Sequence, residues 1–310
     1  MRLRMRRRLR SGHRPRARAR LLTALAVGAA LTGGCSPARG GSDEVVPAAQ
    51  VAEPARGARN GWRLVWSDEF QGAAHSRPDR RTWVFDRGGE PQWGNHEWQY
   101  YTDRPGNASL DGRGDLVLTA RRERLRGMVC SVGPCNITSG RMTTKGRYAR
   151  AYGRFEARIR VPRGQGLWPA FWMLGANSDK VRWPGNGEID VMEVVGRQPG
   201  TVHGSVHGPG YVKQGIEKHT ALAHGRSLAD GFHTYRVDWM PDRIVWYLDD
   251  KPYGVARSGR LRRGQKWVFD HPHYLLLNLA VGGDWPGPPD RKTPFPARMV
   301  VDYVRVYAPA

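Results

Sequence analysis

Gly187-Glu188-Ile189-Asp190-Val191-Met192-Glu193 sets three carboxylates within six residues of an otherwise apolar, β-prone run. In an extended strand successive side chains alternate, so Glu188 and Asp190 share one face and Glu193 falls on the other. One extra residue, a β-bulge at Val191-Met192, would return Glu193 to the side of the other two. Ile189, Val191 and Met192 mark the opposite face as buried. Acids on a strand ordinarily mark a solvated face. Three together, flanked by tryptophan-rich segments, ask for another reason.

Paired carboxylates about 5–5.5 Å apart can serve as nucleophile and acid/base in retaining glycoside cleavage. The aromatics are placed to hold a sugar. In Leu167-Trp168-Pro169-Ala170-Phe171-Trp172-Met173 the two tryptophans are four apart and share a strand face if no bulge intervenes. Trp183 stands five residues before Glu188, and Trp285 lies in the loop Gly282-Gly283-Asp284-Trp285-Pro286-Gly287. An indole offers a flat surface to the C–H face of a pyranose. Trp66, Trp239 and Trp246, inside alternating runs, read instead as core. His203 and His207 have helical metal-pair spacing, but four strand residues span roughly 13 Å, too far to share one ion. His207, just before Gly208-Pro209-Gly210, reads as a hydrogen-bond donor lining a groove.

Strand signals recur outward from this point. In Arg154-Phe155-Glu156-Ala157-Arg158-Ile159-Arg160-Val161 apolar and charged residues alternate without a break. Ile244, Trp246 and Leu248 alternate between the turn signals Pro241-Asp242 and Asp249-Asp250-Lys251-Pro252. His273–Val281 is apolar enough for a central strand, and Val300–Tyr307 closes the chain as another. Recurrent Pro and Gly leave no long helical period. The expectation is an all-β sandwich of two antiparallel sheets over residues 61–310, one sheet curved into a long groove that would take a polymer.

The amino terminus is different. The first twenty residues hold ten arginines and no acid, and the apolar run Leu21–Leu31 follows. That is the pattern of an export signal, too short to span a bilayer alone. Thr32-Gly33-Gly34-Cys35 resembles a lipoprotein cleavage site, on which residues 1–35 are the signal and Cys35 would carry a lipid; plain secretion is the alternative. Residues 36–60, rich in Ala, Pro, Gly and Arg, read as a disordered linker. None of the twelve tryptophans precedes Trp62. Ten of the +22 formal charges fall in the signal, leaving +12 scattered over the rest. Scattered arginines on an exported chain argue against a nucleic-acid partner. Cys130 and Cys135 could close a small disulfide loop in an oxidising compartment.

Gly187–Glu193 resembles the E-[ILV]-D-x-x-E signature of glycoside hydrolase family 16, in its bulged, laminarinase-like branch. Leu64–Phe70, Gly94–Tyr101, Trp168–Leu174, His203–Tyr211, Leu277–Gly287 and Val300–Tyr307 are similar to the same family, in its order, and span nearly all of 61–308. The resemblance implies a curved jelly-roll sandwich with a concave substrate cleft. It implies Glu188 as nucleophile, Glu193 as acid/base and Asp190 as helper, with sugar contacts from Asn95, Arg141, Trp168, Trp172, Trp183, His207 and Trp285. Trp98 and Gln99 depart from the expected Asn95 segment. No cofactor is needed for the chemistry, but a structural calcium is implied, held by Glu69, the Gly114 carbonyl and Asp302. The expected activity is endo-hydrolysis of β-1,3-glucan by a monomer that is extracellular or anchored at the cell surface. The alternatives are a non-catalytic β-glucan-binding module and a hydrolase of another β-glucan or a galactan.

Overall fold

The computed structural model describes residues 61–310, except 90, 213 and 214. The expected signal, Cys35 and the 36–60 linker lie outside the described residues. Strands dominate the fold; helix is confined, among the described residues, to the 3-10 turns Ala223–Gly225 and Ser258–Arg260.

The strands form two large sheets. The seven-stranded sheet runs in the order Lys218–Ala221, Thr201–His207, Glu188–Glu193, Leu167–Gly175, His273–Val281, Arg141–Thr143, Val84–Phe85. The expected central strand, His273–Val281, is indeed interior to it and buried along its whole length. The ten-stranded sheet contains Gly153–Arg160 between His233–Met240 and Ala297–Pro309. Along Gly153–Arg160 the alternation read from sequence is physical: Phe155, Ala157 and Ile159 are fully buried, while Arg154 and Arg158 face outward to Asp238 and Asp302.

The sheets are antiparallel as expected, with one short parallel pairing at an edge. Tyr100–Tyr101 runs parallel to Ile137–Ser139. A parallel pair requires a long crossover, and the connection between these two segments supplies one, carrying Ala108–Leu110 and Leu116–Arg122. Cys130 and Cys135 are joined, with Cα atoms 5.1 Å apart, and tie the hairpin Val129–Cys130/Gly133–Pro134.

The sheets meet face to face over one apolar core. Trp239 and Trp246 are fully buried in it and Trp66 nearly so, as their alternating context requires. From the seven-stranded sheet Phe171, Met173, Ile189, Val206, Leu275 and Leu277 point into this layer. By the period of two, their neighbours Trp168, Trp172, Glu188, Asp190 and His207 occupy the opposite face. That face is where the polar chemistry gathers.

Candidate active site

The acidic strand carries the expected bulge. Against Leu167–Gly175, Glu188, Ile189 and Asp190 pair with Leu174, Met173 and Trp172, and Met192 and Glu193 then pair with Phe171 and Ala170. Val191 is the residue left without a partner. On the other side Asp190 pairs with Ser205 and Glu193 with His203, three steps on one strand against two on its neighbour. Both Val191 and Met192 are buried in the core, so the irregularity satisfies two apolar side chains in succession and returns Glu193 to the face of Glu188 and Asp190.

Each acid has its own donor. Trp183 Nε1 donates to Glu188 Oε2 at 2.7 Å. Trp168 Nε1 donates to Glu193 Oε1 at 3.0 Å. Asp190, between them, accepts from the Ser205 hydroxyl at 2.5 Å and faces His207 Nε2 at 3.2 Å. The other ring nitrogen of His207 donates to the Val212 carbonyl at 2.8 Å, because a carbonyl can only accept. Nε2 therefore needs a proton of its own to bond Asp190, and the ring is held as an imidazolium. Burial alone would depress the His207 pKa; the hydrogen bond to Asp190 and the charges of Asp190 and Glu188 overcome this and raise it to about 10.

The two glutamates are perturbed together. Burial first, and Asp190's charge second, push Glu188 up to about 8; His207, the Trp183 N–H and Arg141 pull against the rise. Glu193 is raised well above the ordinary carboxylate range by burial, then by Asp190's charge, with Glu188 adding to it. Carboxylates that feel one another's charge share protons as a set. The site can thus hold one proton on Glu193 while His207 balances the charge at Asp190.

Most of the residues predicted from sequence converge here. The Trp168 and Trp285 rings meet edge to face at 5.4 Å, and the Trp183 ring lies 6.2 Å from that of His207. Trp172 donates to Asn278 Oδ1 at 2.7 Å. Arg141 is wedged between the rings of Trp93 and Trp172, 4.5 and 4.9 Å from their centroids, and is anchored to Asp86. Asn95 is held farther along: its carbonyl accepts from the Asp284 N–H at 3.0 Å, tying its segment to the Trp285 loop. Gln99 is fully buried, spanning Glu97 and the Val281 N–H, so this departure from the family pattern serves the interior.

Three participants were missed in the sequence. Ser205 sits between His203 and His207 on the same strand face, so extending the alternation from His207 would have found it. Asn278 is the lone amide in the apolar run His273–Val281. Trp93 has no local signal; only its stacking on Arg141 reveals it. His203 and His207 have separate partners, Glu217 and Asp190 respectively.

The implied calcium set does not fit the residues as placed. Both Glu69 oxygens accept from Arg305, at 2.9 and 2.8 Å, and Asp302 is paired with Arg158. A divalent cation would have to displace two guanidinium groups that already neutralise these carboxylates.

The sequence model described as "Glycosyl hydrolases family 16" matches residues 95–305. A beta-glucanase of Rhodothermus marinus is 42% identical over 255 residues, 79% of this chain and 85% of that protein. Among solved structures, an endo-beta-1,3-glucanase from Pyrococcus furiosus superposes with a TM-score of 0.74 at 46% identity, covering 80% of this chain and 94% of that one. A laminarinase catalytic domain from Thermotoga maritima gives 0.73 at 44% identity, covering 79% and 98%.

Proposed function

The chain belongs to glycosyl hydrolases family 16, and from that premise we propose that it is an endo-acting β-1,3-glucan hydrolase working by retaining double displacement. The observation that carries the reading is the bulged strand, which sets Glu188 and Glu193 on one face with Asp190 between them. The names of its relatives, endo-beta-1,3-glucanase and laminarinase, supply the substrate class.

In this reading Glu188, as carboxylate, attacks the anomeric carbon while the bond to the leaving sugar oxygen breaks. Glu193 gives that oxygen its proton, which its raised pKa has kept in place. The glycosyl ester on Glu188 is then attacked by water, which loses a proton to Glu193 and releases Glu188 as carboxylate. Two displacements at one carbon leave its configuration retained. Asp190, fixed by Ser205 and His207, orients the pair and helps set where the proton resides. Trp168, Trp172, Trp183 and Trp285 offer ring faces to the polymer, with Arg141, His207 and Asn95 as polar contacts.

The deciding experiment is release of reducing sugar from laminarin. Glu188→Ala should abolish it, and substantial remaining turnover would sink the assignment. A panel with mixed-linkage glucan and agar-type galactan separates this reading from another specificity, and binding of laminarin without hydrolysis by the unmodified protein would point to a binding module. The reading also takes residues 1–35 as an export signal ending in lipidated Cys35; its support is the arginine-rich start, the apolar run and the single cysteine after it. Cys35→Ser should then move the protein from the membrane fraction to the medium.

A further inference from the structure

One polar cluster beside the acids takes no part in the chemistry above. His203 on the strand Thr201–His207 and His219 on the edge strand Lys218–Ala221 are directly opposed cross-strand partners. Glu217 lies two residues before His219, on the same side by alternation. Directly opposed strand residues have Cβ atoms about 4.5–5.5 Å apart, a separation at which two imidazoles can converge on one ion. The His203–His207 spacing along one strand cannot do this; the cross-strand pairing can.

The three side chains already converge. His203 Nδ1 lies 2.7 Å from Glu217 Oε1, and His219 Nδ1 lies 3.9 Å from the same oxygen. Ligands around a tetrahedral zinc at 2.0–2.1 Å are ~3.3 Å from one another, between these two values. One ligand atom from each of the three lies within 4.8 Å of the others. His203 is nine-tenths buried, giving the cluster one rigid ligand, while Glu217 and His219 are exposed and can move by the roughly 0.6 Å that separates their present distances from that spacing. The chemistry of His203 is also incomplete: Nδ1 donates to Glu217, and buried Nε2 has no hydrogen-bond partner among the described residues. A cation taking Nδ1 in place of the Glu217 hydrogen bond would shift the ring proton to Nε2, so the neutral ring can ligate with no change in its proton count.

We propose that His203, Glu217 and His219 form a binding site for a borderline divalent transition cation of the zinc type, clipping the edge strand Lys218–Ala221 to its neighbour. Two imidazoles and one carboxylate suit zinc, cobalt or nickel far better than calcium or magnesium. The clip sits one strand from the acids, since His203 is itself the cross-strand partner of Glu193, and the His203 ring meets that of Trp285 at 5.0 Å.

The test is calorimetric titration of the metal-stripped full-length protein with zinc, paralleled by cobalt absorption in the visible and by thermal melting. Wild type should bind one zinc saturably and melt at higher temperature when loaded, as a ligand of the native state must make it do. Loss of a group that merely supports a metal ligand typically weakens affinity 10–100-fold. His219→Ala and Glu217→Gln, both at exposed positions, should therefore weaken zinc binding by at least roughly tenfold and remove the tetrahedral cobalt bands. Their metal-free melting should stay unchanged. Absence of saturable binding by wild type would overturn the proposal. So would binding that survives in both variants, which would place the ion on Glu188, Asp190 and His207 instead.

Discussion

Trp246 Nε1 donates to the backbone carbonyl of Asp190 at 2.7 Å, from the opposite sheet and across the core. The bulge interrupts the ladder at this residue, and a buried carbonyl there needs a donor. Gly204, which faces the bulge from the neighbouring strand, leaves the room: a Cβ there would sit 2.2 Å from Trp246 Cδ1 and 2.4 Å from Nε1. A core tryptophan thus holds the strand irregularity that aims Glu193.

Trp246→Phe keeps an aromatic ring and removes the donor. A buried acceptor left without a partner costs about 1–3 kcal/mol. Denaturant melts should show that loss, and kcat should fall more than KM rises, because Glu193 is misaimed while the sugar-facing rings stay. Wild-type kcat in a folded variant would show that the bulge holds without this bond. Gly204→Ala should destabilise by a similar ~1–3 kcal/mol, since the rigid indole must move aside.

His207→Ala removes a positive charge that opposes the rise of the Glu188 pKa. The ascending limb of kcat/KM against pH reports the loss of a proton from the carboxylate set that leaves Glu188 ionised in the free enzyme. With Glu188 pushed up to about 8, that limb should lie above the ordinary glutamate range in wild type. In the variant it should move to still higher pH. A shift to lower pH would contradict the role given to the imidazolium.

Glu193→Gln tests the same electrostatics through stability. The folded-state pKa of Glu193 is raised, so the native protein binds a proton that the unfolded chain releases above its ordinary value near 4.5. Native stability is therefore lost as pH rises from that value toward the folded one. The amide is free of this penalty and retains an oxygen for the Trp168 N–H. The variant should be inactive yet more stable at pH 7 by ~1 kcal/mol or more, a typical gain when a strained functional group is removed. The advantage should shrink toward pH 4; a pH-independent difference would exclude this origin.

Cys130→Ser opens a loop with a sequence separation of 5. Chain-entropy arguments put closure of so short a loop at about 2 kcal/mol. The neighbouring Ser131 hydroxyl donates to the carbonyls of His96 and Glu97, so the hairpin steadies the Asn95 segment. The expected result is a modest fall in melting temperature and a raised KM for long glucans with kcat retained. An unchanged KM would separate the hairpin from substrate binding.

The strands, the two-sheet class and the three acids were legible from local sequence, because each rests on a period of two read within a few residues. Even the bulge was legible: Glu193 faced wrongly by strict alternation, while the apolar pair Val191-Met192 demanded the interior. The sandwich core around Trp239 and Trp246 followed from the same rule. What lies across strands was not legible. Asp190 meets Trp246 over a separation of 56 residues, and Trp172 meets Asn278 over 106. Register, set by how the two sheets pack, decides such partners. It also turned Glu69 and Asp302 toward arginines rather than toward each other, and brought His203 opposite His219 instead of His207. A strand's own residues fix which face a side chain takes, but only tertiary packing fixes which neighbour waits on that face.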